Sequence, residues 1–311
     1  QEEVFALVGA GIGEACLSGY NGSIYVYGQT GSGKTHTMQG PVASVQAMHS
    51  DDRRGIMCRI LALIFSEVGR RHQEVGSVQY TCKCSYLQIY KEQIADLLEA
   101  SSTNLQVRED VNRGVYVERL SEHSVWNLSD ALHAMWKGLH LRHVGATQMN
   151  ELSSRSHAVF TLVMEATSTT AGGVTSTWVA RLNLIDLAGS ERQSFDPRGH
   201  TAPIHESLRV KEAGAINRSL SALTNVIMSL SHMGQRRPRT STGSNVGTSG
   251  QQRRPFVRYR DSKLTFLLRD SLGGNSKTVI VACVSPSALC FGETLSTLKF
   301  AARAKHIRCV A

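Results

Sequence analysis

The 311 residues are 41% hydrophobic, which suits one large α/β domain with a full core better than two small ones. No run of about 18 apolar residues occurs, so no transmembrane helix is expected. Seven cysteines, odd in number and without framework spacing, argue against disulfides and fit a reducing cytosol, and the net charge is +9, from 34 basic and 25 acidic residues.

The chain opens without an initiator Met or a signal-peptide pattern, so it is expected to be a piece of something longer. Val4, Val8, Ile12, Ala15 and Cys16 recur at helical spacing, and Asn21-Gly22 ends that segment with a turn. Ser23 to Tyr27 reads as a short buried strand. Directly after it stands Gly28-Gln29-Thr30-Gly31-Ser32-Gly33-Lys34-Thr35, which fits the P-loop pattern of Gly, four residues of any kind, and Gly-Lys-Ser/Thr. Glycines there let backbone N–H groups turn inward around phosphates. Lys34 would reach the β- and γ-phosphates and the Thr35 hydroxyl would ligate Mg²⁺. A helix starting at Lys34 would aim its N-terminus at the anion.

Residues 40–54 are polar and irregular. Ile56, Ile60, Leu63, Ile64 and Val68 mark a second helix. Val78 to Tyr90 alternates as a strand and puts Cys82 and Cys84 on one face, as small buried hydrophobes rather than metal ligands. Ile94 to Leu98 begins a short helical stretch, and 104–120 holds a small hairpin. Leu128 to His143 is helical, with Ser129 as a candidate N-cap. Ala158 to Ala166 and Thr175 to Leu187 flank Gly172-Gly173 as a hairpin. A long helix runs from about Glu206 to His232, its stripe made by Ile216, Leu220, Leu223, Ile227 and Leu230. Arg209, Lys211 and Arg218 lie off that stripe, toward solvent or a partner.

Residues 235–260 contain no acid and seven arginines: Arg236, Arg237, Arg239, Arg253, Arg254, Arg258 and Arg260. Between them, Thr240 to Gln252 is Ser/Thr/Gly-rich, the composition of a mobile loop. Such an arm suits an acidic polymer, nucleic acid or protein, and is otherwise a solvated loop. Thr278 to Val284 is a continuous apolar strand, and Leu295 and Leu298 begin a final helix ending near Ile307. There is no internal repeat. The order of elements indicates a P-loop NTPase-type three-layer α/β sandwich, with a mixed, mostly parallel central sheet and helices on both faces.

A P-loop needs an acid for Mg²⁺ at the end of a buried strand. Leu182-Asn183-Leu184-Ile185-Asp186 supplies it, and Gly189 follows, able to bring its N–H close to a γ-phosphate. The second partner is Asn150-Glu151-Leu152-Ser153-Ser154-Arg155-Ser156-His157. Its hydroxyls can ligate Mg²⁺ and position water. Arg155 has Glu191 as a candidate mate, a pair that would latch two loops together when a γ-phosphate orders both.

These three segments resemble the P-loop, switch I and switch II of the kinesin motor domain. Asn217 to Leu223, Tyr259 to Thr265, Asp270 to Asn275 and Phe300 to Lys305 are also similar, so the resemblance runs from the first residues to about Arg308. Cys290 to Leu298 looks most like kinesin class twelve. The resemblance implies a microtubule-stimulated ATPase with ATP and Mg²⁺ as cofactors. Thr35 and Ser154 would contact Mg²⁺, and Asp186 would reach it through water. Gly189 would sense the γ-phosphate, Ser153 and Ser154 would help place the lytic water, and His36 would lie near the adenine. The long helix, with Arg218, Arg260 and Lys263, would lie on acidic tubulin. No DNA or RNA partner and no membrane are implied for this segment, and oligomerisation would use segments outside it. The implied setting is the cytoplasm and the microtubule cytoskeleton, the spindle among its candidate sites.

Several residues depart from the family pattern. Its first strand, with an Arg-x-Arg-Pro adenine contact, is absent, which is expected to expose a sheet edge and weaken the fold. Residues 193–206 and 234–256 look longer than usual. Lys91 stands where Asn is common, and Cys309 stands where Asn usually ends Ile307-Arg308-x. A linker after the last helix favours plus-end-directed movement. Three rivals remain: a GTPase-type switch, which lacks its Asn-Lys-x-Asp motif here; a nucleic-acid-dependent ATPase; and a non-hydrolysing microtubule binder.

Overall fold

Alternation along one short strand sets the layers. Ile24 and Val26 point to one face and Tyr25 and Tyr27 to the other, and all four are buried, so both faces must be covered. The computed structural model describes residues 1–41, 44–75, 78–111, 113–147, 152–169, 173–191, 204–235 and 256–311. Its strands are β1 Gly22–Tyr27, β2 Val78–Tyr90, β3 Gln93–Asp96, β4 Thr103–Leu105, β5 Val107–Asp110, β6 Gly114–Val117, β7 His123–Val125, β8 His157–Thr169, β9 Thr175–Asp186 and β10 Lys277–Ala282.

The main sheet runs β10-β1-β9-β8-β2-β3-β4, with β7 also on β2, while β5 and β6 form a separate ribbon. On the face of Ile24 and Val26, the core includes Ile12 and Cys16, Ile56, Ile60, Leu61 and Ile64, and Leu132, Met135 and Leu139. These belong to the helical stretches Ala10–Leu17, Ile56–Val75 and Leu128–Thr147. On the face of Tyr25 and Tyr27 lie Leu220, Leu223, Ile227, Leu264 and Phe300, from helices Ile204–Gln235, Lys263–Leu267 and Phe291–Ala304. The three-layer architecture read from the sequence is therefore present.

The expectation of a mostly parallel sheet needs correction. Among the described residues, only the β1–β10 and β1–β9 ladders are parallel, and the other ladders of this sheet are antiparallel. Parallel pairing needs a long crossover, whereas the few residues between β2 and β3 and between β8 and β9 allow only antiparallel neighbours. The helical stretch expected at Ile94 to Leu98 is not helical: Ile94 to Asp96 belong to β3, and Leu97 and Leu98 follow it in a bend. Lys91 and Glu92 take φ of 50° and 59°, the left-handed pair of a two-residue hairpin turn, so the chain folds straight back and Ile94 pairs with Ile89. Asn tolerates that region better than Lys, so the departure at Lys91 carries a local cost.

Two helix starts also differ. The stretch 40–54 contains a helix, Val45–Ser50, whose cap is Ser44: its hydroxyl accepts from the Ala47 N–H at 3.2 Å. Leu128–Thr147 is capped by Asn127 rather than Ser129. Asn127 Oδ1 accepts from the Asp130 N–H at 2.9 Å, and the Asp130 carboxylate accepts from the Trp126 N–H at 3.0 Å. Ser129 meets His133 instead. Cys82 and Cys84 are buried free thiols, as expected. β10 borders β1 on one side and no other described strand on its far side. The arginine-rich arm lies outside the described residues apart from Arg258 and Arg260.

The last helix is fastened to the central strand by an aromatic stack. The Phe300 ring, 3% exposed, lies 3.8 Å from that of Tyr27 at 12°. Phe300→Ala should destabilise the fold by about 3–5 kcal/mol, measured by urea unfolding at 25 °C.

Candidate functional site

β1 delivers the chain into the glycine-rich loop. Gly28 has φ of 154°, and a Cβ there would sit 2.0 Å from the Cys283 carbonyl oxygen, so no larger residue fits. Gly33 has φ of 93° and caps the helix Lys34–Met38, which starts where the sequence places it. Lys34 is buried, and its Nζ donates to the Gln29 carbonyl at 2.8 Å across the loop. Burial lowers the Lys34 pKa, and the charges of Asp186 and Glu191 oppose that.

Asp186 ends β9 at the foot of the loop and is 2% exposed. Its Oδ2 accepts from Thr35 Oγ1 at 3.0 Å, from Arg142 Nη1 at 2.8 Å and from Gln39 Nε2 at 3.5 Å. Its Oδ1 is buried and has no hydrogen-bond partner. An orphaned buried acceptor beside the Thr35 hydroxyl is a fit for Mg²⁺ with a metal-bound water donating to Oδ1, so the donor set suits the expected ion.

Three loops converge there. The Gly189 N–H donates to the Ser154 carbonyl at 2.8 Å, and the Ser190 N–H donates to the Gly28 carbonyl at 3.1 Å. The Glu191 carboxylate accepts from the Thr30 N–H at 2.8 Å and from its hydroxyl at 2.5 Å. A Cβ at Gly189 would fall 2.3 Å from the Glu191 carboxylate, so the close approach depends on glycine. Thus Thr30, Lys34, Thr35, Ser154, Asp186, Gly189 and Glu191 come together, with Gly28, Gln29, Gly31, Ser32 and Gly33 forming the loop. Both oxygens of Glu191 are engaged by Thr30 in this conformation, and Arg155 ends the short helix Leu152–Arg155 beside Ser154. The Ser153 side chain, Asn150 and Glu151 lie outside the described residues. His36 is exposed and meets Gln1, whose Nε2 lies 3.0 Å from His36 Nδ1.

Two buried residues of the site have no role in the motif reading: Arg142, which lies outside the motifs, and His157, which ends the segment Asn150 to His157. Arg142 is 2% exposed and binds both Asp186 and, through Nη2 at 3.1 Å, the Ser156 carbonyl. Its position was signalled: Leu132, Met135, Leu139 and Arg142 form one helical stripe, so the arginine faces the core. His157 is also 2% exposed. Its Nδ1 accepts from the Ala188 N–H at 3.0 Å, and its Nε2 lies 2.8 Å from Ser219 Oγ. Burial first, then the charges of Arg142 and Lys34, push its pKa down to about 3.

On the outer surface, Arg218, Arg260 and Lys263 line one groove of about 340 Å³ together with Glu92, Val107 and Phe266. Arg260 pairs with Glu109 of β5 at 2.7 Å and covers the Phe266 ring. Lys263 Nζ donates to the Leu105 carbonyl at 3.3 Å. Arg269, then Arg260, holds the Glu109 carboxyl below its ordinary pKa.

A model of the kinesin motor domain matches residues 1–307. The chain is 49% identical to the kinesin-like protein KIN-12B of Arabidopsis thaliana, over 99% of this chain and 22% of that protein. It is 49% identical to the kinesin-like protein KIF15 of Strongylocentrotus purpuratus, over 99% of this chain and 19% of that protein. It therefore spans about a fifth of the length of these relatives. Among solved structures it resembles a fast kinesin with a TM-score of 0.80 and 38% identity, covering 100% of this chain and 77% of that one. That structure was reported for its implications for ATPase mechanism and interactions with microtubules.

The buried imidazole makes stability pH-dependent. The folded ring has a pKa of about 3 against an ordinary 6.5, so below pH 6.5 the unfolded chain takes up a proton that the folded one does not. Stability present above pH 6.5 is then lost as pH falls toward 3, by about 2 kcal/mol at pH 5. Urea unfolding at pH 7 and pH 5 should show this difference, and His157→Gln should reduce it.

Proposed function

The chain belongs to the kinesin motor domain family, and on that footing we propose that it hydrolyses Mg-ATP and couples this to plus-end-directed movement along microtubules. The observation that carries the reading is the meeting of three loops at one buried carboxylate. The segment Asp186 to Glu191 is hydrogen-bonded both to the P-loop and to the segment ending in Ser154 and Arg155.

Each residue has a role in this scheme. The P-loop amides and Lys34 bind the triphosphate, and Lys34 gives up its bond to the Gln29 carbonyl to do so. Thr35 and Ser154 would hold Mg²⁺ directly and Asp186 would hold it through water; the chemistry supplied by such an ion would be neutralisation of the charge that builds on the phosphates. The Gly189 N–H, now on the Ser154 carbonyl, turns to the γ-phosphate. Glu191 leaves Thr30 for Arg155, and that latch closes the site around a water positioned by Ser153 and Ser154. Catalysis is then chiefly positioning and electrostatic stabilisation. His36 borders the adenine. Closure reorients the helix Ile204–Gln235, which with Arg218, Arg260 and Lys263 contacts acidic tubulin. Its place of action is the microtubule cytoskeleton, the spindle included.

The test is ATP turnover of the full-length protein with and without microtubules. Turnover should rise to a plateau with microtubule concentration, and DNA should not replace them. Lys34→Ala should abolish nucleotide binding. Glu191→Ala should bind ATP but lower microtubule-stimulated turnover about a hundredfold, the scale of losing one preorganised transition-state contact. Unchanged turnover in Glu191→Ala would remove the latch from the scheme.

A further inference from the structure

We propose that His157 is the positioning residue that carries closure of the phosphate-side loops to the helix Ile204–Gln235. The proposal rests on the motor reading above and adds to it a specific mechanical link. His157 is the first residue of β8, two beyond Arg155, so it moves with the loop that holds Ser154. Its Nδ1 accepts from the backbone N–H of Ala188, the residue before Gly189. A backbone amide can only donate, so Nδ1 carries no proton and the ring proton sits on Nε2. Nε2–H therefore donates to Ser219 Oγ, 2.8 Å away.

One planar ring thus touches both nucleotide-side loops and the long helix. It is 2% exposed and Ser219 is 3% exposed, so no water competes for either bond. Rotation of the ring out of this pose breaks both contacts, so keeping them passes a shift of Ala188 on to Ser219. On the far side, Ser219 adjoins the exposed Arg218, which lines the surface groove with Arg260 and Lys263. A change at Gly189 therefore reaches that groove through Ala188, His157, Ser219 and Arg218, a contiguous chain of bonded groups. The depressed pKa keeps the ring neutral through the neutral range, and the Ala188 N–H selects its tautomer.

The test uses the full-length protein and the variants Ser219→Ala and Ser219→Thr. Ser219→Ala removes the acceptor without altering any nucleotide-contacting residue, and Ser219→Thr retains a hydroxyl. Ser219→Ala should keep basal ATP turnover within about twofold and lose about tenfold in microtubule stimulation, within the usual range of site-to-site coupling. Ser219→Thr should restore most of it, with both variants checked for unchanged melting temperature. A second readout needs no microtubule: amide hydrogen exchange with Mg-ADP and with a non-hydrolysable ATP analogue. In the wild type, exchange should differ between the two nucleotides at both Ala188 and helix residues 219–230. In Ser219→Ala, only the difference at Ala188 should persist. Full stimulation in Ser219→Ala, or equal loss of basal and stimulated turnover, overturns the proposal. So does a helix in the wild type, or still in Ser219→Ala, whose response to nucleotide ignores the link. If the wild-type helix responds and Ser219→Ala does not, while microtubules fail to stimulate the wild type, the motor reading falls and the link stands.

Discussion

Asp186 and Arg142 form an ion pair from which water is excluded, with side chains 3% and 2% exposed. Such a pair gains little net stability, because desolvating two charges costs about as much as their attraction returns. Its value here is geometric. The carboxylate also accepts from Thr35, and the guanidinium also holds the Ser156 carbonyl. One contact therefore fixes the end of β9, the start of the P-loop helix, the helix Leu128–Thr147 and the entry to β8 against each other. Loss of either partner would strand a charge in the core and release all four.

That fixed point sits where a sheet with two covered faces ends in loops. The helices Ile56–Val75 and Leu128–Thr147 brace one side, and Ile204–Gln235 and Phe291–Ala304 brace the other. The rigid layers leave motion to the segments that bond to one another only through exchangeable partners. Gly189 on Ser154, Ser190 on Gly28 and Glu191 on Thr30 are contacts of this kind. Each can trade one acceptor or donor for another at small net cost, since hydrogen bonds are exchanged rather than lost.

Most of this was legible in the residues. The P-loop, the strand ending in Asp186 and the two long helices announce themselves through spacing and periodicity. The failures have local causes. Ile94 to Leu98 has apolar spacing that suits a helix, but the turn at Lys91 and Glu92 dictates pairing, and a left-handed Lys is not a signal that composition carries. Ser44 and Asn127 are caps whose identity depends on which N–H is orphaned, a matter of one residue. A mostly parallel sheet was expected because strands and helices alternate, although the hairpin connections at β2–β3 and β8–β9 work against it. Arg142 and His157 were hidden for another reason: Arg142 shows in the sequence only as one more position of a helical stripe and His157 only as the end of the segment Asn150 to His157, and it takes their burial and bonds to show that they link elements.

The ribbon of β5 and β6 is held in a different way from the nucleotide side. Glu109 ties it to Arg260 and Arg269 through ion pairs that water reaches, with Arg260 74% exposed. Counter-ions at physiological strength screen such pairs over about 8 Å, but they scarcely touch the dry pair at Asp186. Dissolved salt therefore acts selectively on this molecule: it weakens the charged ties of the outer ribbon beside the groove, leaves the buried Val115 and Val117 that seat the ribbon, and leaves the interior hub gripped.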